Sequence, residues 1–177
     1  MQNGLILSIF FLLILVFLGI VLTSMTSVLF VAVIFTPKEV VKEIVKIMNA
    51  KADDKVVDLG SGDGRVLIEM VKGVKVKAFG YDISPIMVLY SKLNRFLALG
   101  FKSPITFDVV SLFDLKYNEY DIIYCNLNAK IMSRLSSKFT KQLSGTKVFS
   151  YIYPIEGKKP YKKHILSNKQ ALFEYRY

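Results

Sequence analysis

Charge is missing from the first 37 residues, where no Asp, Glu, Lys or Arg occurs before Lys38. The 177-residue chain therefore carries its whole net charge of +10 from residue 38 onward. Cysteine is almost absent as well. Cys125 stands alone, which excludes an internal disulfide and suits a reducing compartment. His164 is the only histidine. One Cys and one His, far apart in the chain, give no metal-ligand spacing, so no metal site is expected. The cations are spread along the chain rather than clustered, which reads as solvated surface. Anionic lipid and nucleic acid are the other partners that a basic balance allows.

What fills the uncharged stretch is apolar. From Leu5 to Phe35 the run is broken only by Gly19 and by Thr23-Ser24-Met25-Thr26-Ser27. A helix of that length measures ~46 Å against a hydrocarbon core of ~30 Å. The expectation is one transmembrane span near 5–27, with 28–35 at the interface. Residues 1–35 then form a membrane anchor and 36–177 a second domain. No basic residue precedes the run, as a cleavable signal would require. Lys38, Lys42 and Lys46 follow it, so the positive-inside rule puts the second domain on the cytoplasmic side of a single-pass membrane protein.

From residue 36 the pattern alternates. Thr36-Pro37-Lys38-Glu39 reads as a capped helix start, and Lys38–Asn49 carries Val40, Val41, Ile44, Val45 and Met48 on one face. Strands are expected at Lys55–Leu59, Val76–Asp82, Ile105–Val110, Tyr120–Asn126 and Lys147–Tyr153. Helices fall near Arg65–Val71, after Ser84-Pro85 as far as Gly100, and near Ala129–Gln142. In the second of these, Ile86, Leu89, Tyr90, Leu93, Phe96 and Leu97 make an apolar stripe. Tyr161–Leu166 and Ala171–Tyr175 close the chain as a pair of strands. Strands alternating with helices mean an α/β domain with a mostly parallel sheet, and the last two imply an antiparallel hairpin at one edge.

The stretch Val56-Val57-Asp58-Leu59-Gly60-Ser61-Gly62-Asp63-Gly64-Arg65 carries the chemistry. A strand runs into alternate glycines and then a helix, and glycine lets the backbone turn tightly and approach a ligand. In an open α/β sheet this loop floors the ligand site at the carboxyl ends of the strands. The dinucleotide fingerprint G-x-G-x-x-G needs glycine where Arg65 stands. An acid at the end of the next strand, Asp82, can accept hydrogen bonds from both hydroxyls of a ribose.

With its acid two positions before the first glycine, this arrangement resembles motif I of the class I S-adenosylmethionine-dependent methyltransferases, whose sheet is Rossmann-like. The resemblance assigns Asp58 to the methionine end of the cofactor and Gly60, Ser61, Gly62, Asp63 and Gly64 to the loop around it. Asp82 falls to the ribose and Ile83 to the adenine ring. Ser111 and Leu112 line the adenine pocket, with Ser111 where the family usually has an acid. More narrowly, the chain is similar to the membrane-anchored protein-lysine methyltransferases that modify the ATP synthase c-subunit and the adenine nucleotide translocase. The apolar N-terminus, Thr36-Pro37-Lys38-Glu39-Val40-Val41, the Asp63-Gly64-Arg65 ending, Gly80-Tyr81-Asp82-Ile83-Ser84-Pro85, Tyr90-Ser91-Lys92 and Tyr153-Pro154 carry that likeness. After the fourth strand this chain has Asn126-Leu127-Asn128 in place of the family's hydrophobic residue and proline.

The resemblance implies a membrane-associated methyltransferase with a lipid bilayer and a membrane protein substrate as partners, at the mitochondrial inner membrane if eukaryotic. Asn126 is the candidate catalytic residue, its carbonyl oxygen orienting the acceptor amine, or else it caps the strand end. Two competing readings are a methyltransferase for a lipid, quinone or nucleic acid and a cofactor-binding module without turnover. No Asn/Asp-Pro-Pro-aromatic motif follows the fourth strand, which disfavours nucleic acid.

Overall fold

The structure, a computed structural model, describes the backbone of residues 2–30 and 36–177, and within the first stretch the side chains of Gly4 and 6–21. The chain divides into two units, Met1–Phe35 and Thr36–Tyr177.

The first unit contains helix α1, Gln2–Phe30. Among the described residues no helix is long and apolar enough to cross a membrane. The side chains described over 6–21 cover ~24 Å of helix axis, against the ~30 Å that a span requires. This corrects the expected transmembrane helix. It also corrects the placement that rested on it, a single-pass membrane protein with its second domain on the cytoplasmic side or at the mitochondrial inner membrane. The side chains of 5 and 22–27 in the expected span, and those of the interfacial segment 28–35, lie outside the described residues.

In the second unit helix α2 (Lys38–Met48) leads into strand β1 (Lys55–Leu59) and helix α3 (Arg65–Gly73). Then follow β2 (Lys77–Asp82), α4 (Pro85–Leu99), β3 (Ile105–Val109), β4 (Ile122–Cys125), α5 (Ala129–Gln142) and β5 (Lys147–Tyr151). The hairpin β6 (Lys162–Ile165) and β7 (Ala171–Arg176) ends the chain. One sheet runs β3-β2-β1-β4-β5-β7-β6. β1 to β5 are parallel, and β7 enters antiparallel between β5 and the edge strand β6. The expected fold class thus stands for this unit: a Rossmann-like, mostly parallel sheet with a C-terminal antiparallel hairpin.

Central parallel strands are covered on both faces and need apolar residues facing both ways. Val56 packs in one core with residues of α2, α3 and α4, while Val57 and Leu59 pack in the other with Met132, Leu135 and Phe139 of α5. Two local expectations change. Thr36 does not cap α2: Pro37 takes that position without a side-chain bond, and Thr36 is buried with its carbonyl accepting from Arg65 Nη1 at 2.6 Å. On α4 the buried residues are Met87, Val88 and Ser91 rather than the predicted stripe. Ser91 is small and turns its Oγ onto the Val88 carbonyl at 2.8 Å, so the helix lies on its narrow side and the stripe faces outward.

Charge is divided unevenly across the sheet. Residues 127–177, with α5, β5, β6 and β7, carry eleven Lys and Arg against only Glu156 and Glu174. The other twelve acids lie at or before residue 126 and nearly balance the thirteen cations there.

Candidate functional site

The loop from Gly60 to Gly64 is shaped by its neighbours. Gly60, Gly62 and Gly64 all have left-handed backbones, with φ of 76°, 54° and 78°, a region closed to most side chains. The amides of Gly60 and Ser61 donate to the Tyr81 carbonyl at 2.8 and 3.0 Å, and Gly64 N donates to the Ser61 carbonyl at 2.9 Å. Gly62 N donates to Asp82 Oδ2 at 3.0 Å. The loop is thereby sewn to the end of β2, and Asp82 is held in place by the same bonds. Its Oδ1 also accepts from Ser84 N at 2.9 Å, while the Ser84 hydroxyl caps α4 through Met87 N.

The three glycines face different things. A Cβ on Gly64 would lie 2.4 Å from Phe107 Cζ, and one on Gly60 would lie 2.8 Å from Leu127 Cδ2. At Gly62 the nearest atom is Met87 Cε at 3.9 Å. Gly62 is the most open of the three, and Gly64 is packed against the fully buried Phe107 ring.

Asp58 lies at the end of β1, 3 % exposed. Burial first, and then the nearby Asp82 and Asp63 carboxylates, push its carboxyl well above the usual carboxylate range. Arg65 holds the Asp63 carboxylate: its Nε reaches both oxygens at 2.9 Å and Nη2 closes to 2.6 Å. The Asp63 carbonyl also accepts from Asn94 Nδ2 at 3.2 Å. Asp63 and Arg65 therefore brace the loop against α4 and the entry to α2. Ser61 Oγ is buried and lacks a hydrogen-bond partner among the described residues. A buried carboxyl beside two further acids, with an orphaned hydroxyl and an open glycine, fits a ligand with cationic and hydrogen-bonding groups, as S-adenosylmethionine has.

The remaining predicted residues follow from the register. Asp58 pairs with Gly80 and Asp82 with Val109, so the ends of β1, β2 and β3 stand side by side. Ile83 is largely exposed beside Asp82. Ser111 closes a turn after β3, with its Oγ accepting from Phe113 N at 3.3 Å and its carbonyl from Asp114 N at 3.0 Å. Leu112 is packed against the α5-side core, and its carbonyl accepts from the Tyr117 hydroxyl. On the other side of β1, Leu59 pairs with Cys125, which sets half-buried Asn126 beside Gly60. Asn128, not Asn126, caps α5 by accepting from Ile131 N at 3.0 Å. Among the described residues the Asn126 side chain makes no hydrogen bond, and no cluster of metal-ligating residues occurs. Phe107 and Leu127, which shape the loop from behind, carry no signal in sequence beyond being apolar.

This strand order with its glycine loop is the sheet of the class I methyltransferases. The RNA methyltransferase of Salinibacter ruber, solved with S-adenosylhomocysteine, is similar at a TM-score of 0.75 and 25% identity over 81% of this chain and 93% of that one. A methyltransferase of Thiobacillus denitrificans, solved with the same ligand, shares the fold at a TM-score of 0.55 and 21% identity, over 75% of this chain and 52% of that one. Residues 58–162 match the ANTKMT methyltransferase domain, and the chain belongs to that family. A protein-lysine N-methyltransferase of Saccharolobus islandicus is 31% identical over 131 residues, 71% of this chain and 78% of that protein. The ATP synthase C-subunit lysine N-methyltransferase of Xenopus laevis is 29% identical over 103 residues, 58% of this chain but only 44% of its own length. The protein is an S-adenosylmethionine-dependent methyltransferase.

Proposed function

We propose that the unit 36–177 transfers methyl groups to lysine side chains of a protein. The supporting observation is the half-buried Asn126 amide beside Gly60, uncommitted to any cap, in a chain 31% identical to a protein-lysine N-methyltransferase. The cofactor supplies a methyl group on a positively charged sulfur. Asp58 holds its cationic methionine end, Gly60 and Gly62 bring backbone against it, and Ser61 Oγ gains a partner. Asp82 accepts from the ribose hydroxyls, while Ile83, Ser111 and Leu112 lie along the adenine. Asp63 and Gly64 act on the loop rather than on the cofactor.

Displacement at a methyl carbon needs an aligned nucleophile and little water. A lysine must first lose a proton, which costs roughly 4–5 kcal/mol near pH 7. A cationic neighbour lowers that cost, and the Asn126 carbonyl oxygen fixes the direction of the neutral amine. Three relatives act, by name, on the ATP synthase C-subunit, and a membrane protein is the acceptor we put first. A second reading, an RNA acceptor, is favoured by the Salinibacter ruber structure and the basic α5–β7 side.

Calorimetric titration of the full chain with S-adenosylmethionine and S-adenosylhomocysteine tests the site. Micromolar binding that Asp82→Ala abolishes supports it, and no binding at millimolar cofactor would sink it. Radiolabelled cofactor offered with membrane proteins, soluble proteins and RNA then separates the acceptors. Label on RNA alone would end the lysine reading, and label on soluble proteins alone would end the choice of a membrane protein.

A further inference from the structure

Within the unit 36–177, α4 leaves uncovered an apolar surface that the methyl-transfer site does not use. Leu89, Leu97 and Phe101 are 71%, 73% and 88% exposed, and Tyr90, Leu93 and Phe96 are each 40% exposed or more. Phe96 and Phe101 lie against one another with ring centroids 4.5 Å apart, so the patch is already arranged. With ~200 Å² for each such side chain when fully free, these six leave on the order of 700 Å². The largest apolar patch on an ordinary monomer is ~300–600 Å².

The spacing tells what kind of body fits. Positions 86, 89, 90, 93, 96 and 97 repeat in steps of three and four, which is the seam of one helix packed on another. α4 has 15 residues, a rod of ~22 Å. Two copies of this patch remove ~1,400 Å² from water, inside the ~1,200–2,000 Å² of a stable interface.

Charge argues against an anionic partner on this face. The only charged residues of α4 are Lys92 and Arg95; Arg95 reaches back to the sheet, and Lys92 is exposed at the flank of the stripe beside Asp108. Lys92 Nζ lies 3.8 Å from Asp108 Oδ1, and Arg95 Nη1 donates to the Ile105 carbonyl at 2.7 Å. An apolar stripe whose two cations both have partners in the same unit matches a surface of its own kind.

We propose that two copies of the chain pair through α4, stripe against stripe about a two-fold axis near Leu93. The interface is isologous, so each copy both offers and fills the same seam.

Cys125 is the one cysteine and is buried, so Leu93→Cys adds a single accessible thiol. In the full chain, oxidation with copper phenanthroline in air should convert most of that variant to a disulfide-linked dimer. Wild type, and a Glu119→Cys control away from α4, should stay unlinked. Light scattering should give twice the chain mass for wild type and the chain mass for Leu93→Asp/Leu97→Asp, with S-adenosylmethionine binding unchanged. A dimer mass that survives the double substitution would overturn the proposal. So would monomeric wild type at micromolar concentration, or a Leu93→Cys thiol shielded from maleimide without forming the dimer. That last outcome would mean that lipid or another segment covers the face. Unchanged cofactor binding keeps failure here separate from failure of the methyl-transfer reading.

Discussion

Asp58 is buried beside two other acids, and the energetic consequence has a definite sign. Its folded-state carboxyl holds a proton to higher pH than the ~3.9 of an unfolded chain. The stability this group contributes is complete below that unfolded value and is lost as pH rises through the folded one. Asp58→Asn should therefore raise the Tm of the ligand-free protein by a few degrees at pH 7 and leave it nearly unchanged below pH ~4. The same variant should bind S-adenosylmethionine at least about tenfold more weakly, since a charged hydrogen-bond acceptor is worth ~1.5–3 kcal/mol. Paired thermal melts and titrations check both halves. The glycines separate in another way. Gly64→Ala meets the Phe107 ring at 2.4 Å in a left-handed backbone and should cost about 3 kcal/mol in urea unfolding, partly restored by Phe107→Leu. Gly62→Ala carries backbone strain but no clash, and its larger effect should be on cofactor affinity.

Elements show where local sequence is informative and where it is not. β1 and α5 lie where the sequence placed them, over Lys55–Leu59 as a short apolar run ending at glycines and over Ala129–Gln142 as a helix. That the strand ends carrying Asp58 and Asp82 meet at the glycine loop was legible for the same reason, because strand, turn and helix chemistry agree along one short stretch. α4 was legible as a helix but not in its orientation. Apolar periodicity marks a face without saying what covers it, and Ser91 decides the packing by being small. The pairing within the loop was also hidden, since the grip of Arg65 on Asp63 leaves no mark in the sequence. The two asparagines after β4 should likewise part company. Asn128→Ala removes a helix cap and should cost about 1 kcal/mol of stability with methyl transfer retained. Asn126→Ala should leave urea unfolding nearly unchanged and lower turnover with little change in cofactor affinity.

At the scale of the molecule, the sheet is completed out of chain order. β7 lies between β5 and β6, with Leu172 and Tyr175 fully buried, and the Tyr175 hydroxyl accepts from Ile155 N at 2.8 Å. Truncation after Asn168 should expose the edge of β5 and abolish cooperative unfolding, which circular dichroism in urea would register. The hairpin was readable as two strands, yet the insertion of the second beside β5 was not, because pairing partners distant in sequence leave no local mark.

The lopsided division of acids gives the folded unit a large electric moment, with its positive pole among α5, β5, β6 and β7. Such a body rotates in the field of a charged neighbour before any surface touches. Its encounters with anionic partners begin from one side, and that bias fades as salt shortens the field from ~30 Å at 0.01 M to ~3 Å at 1 M.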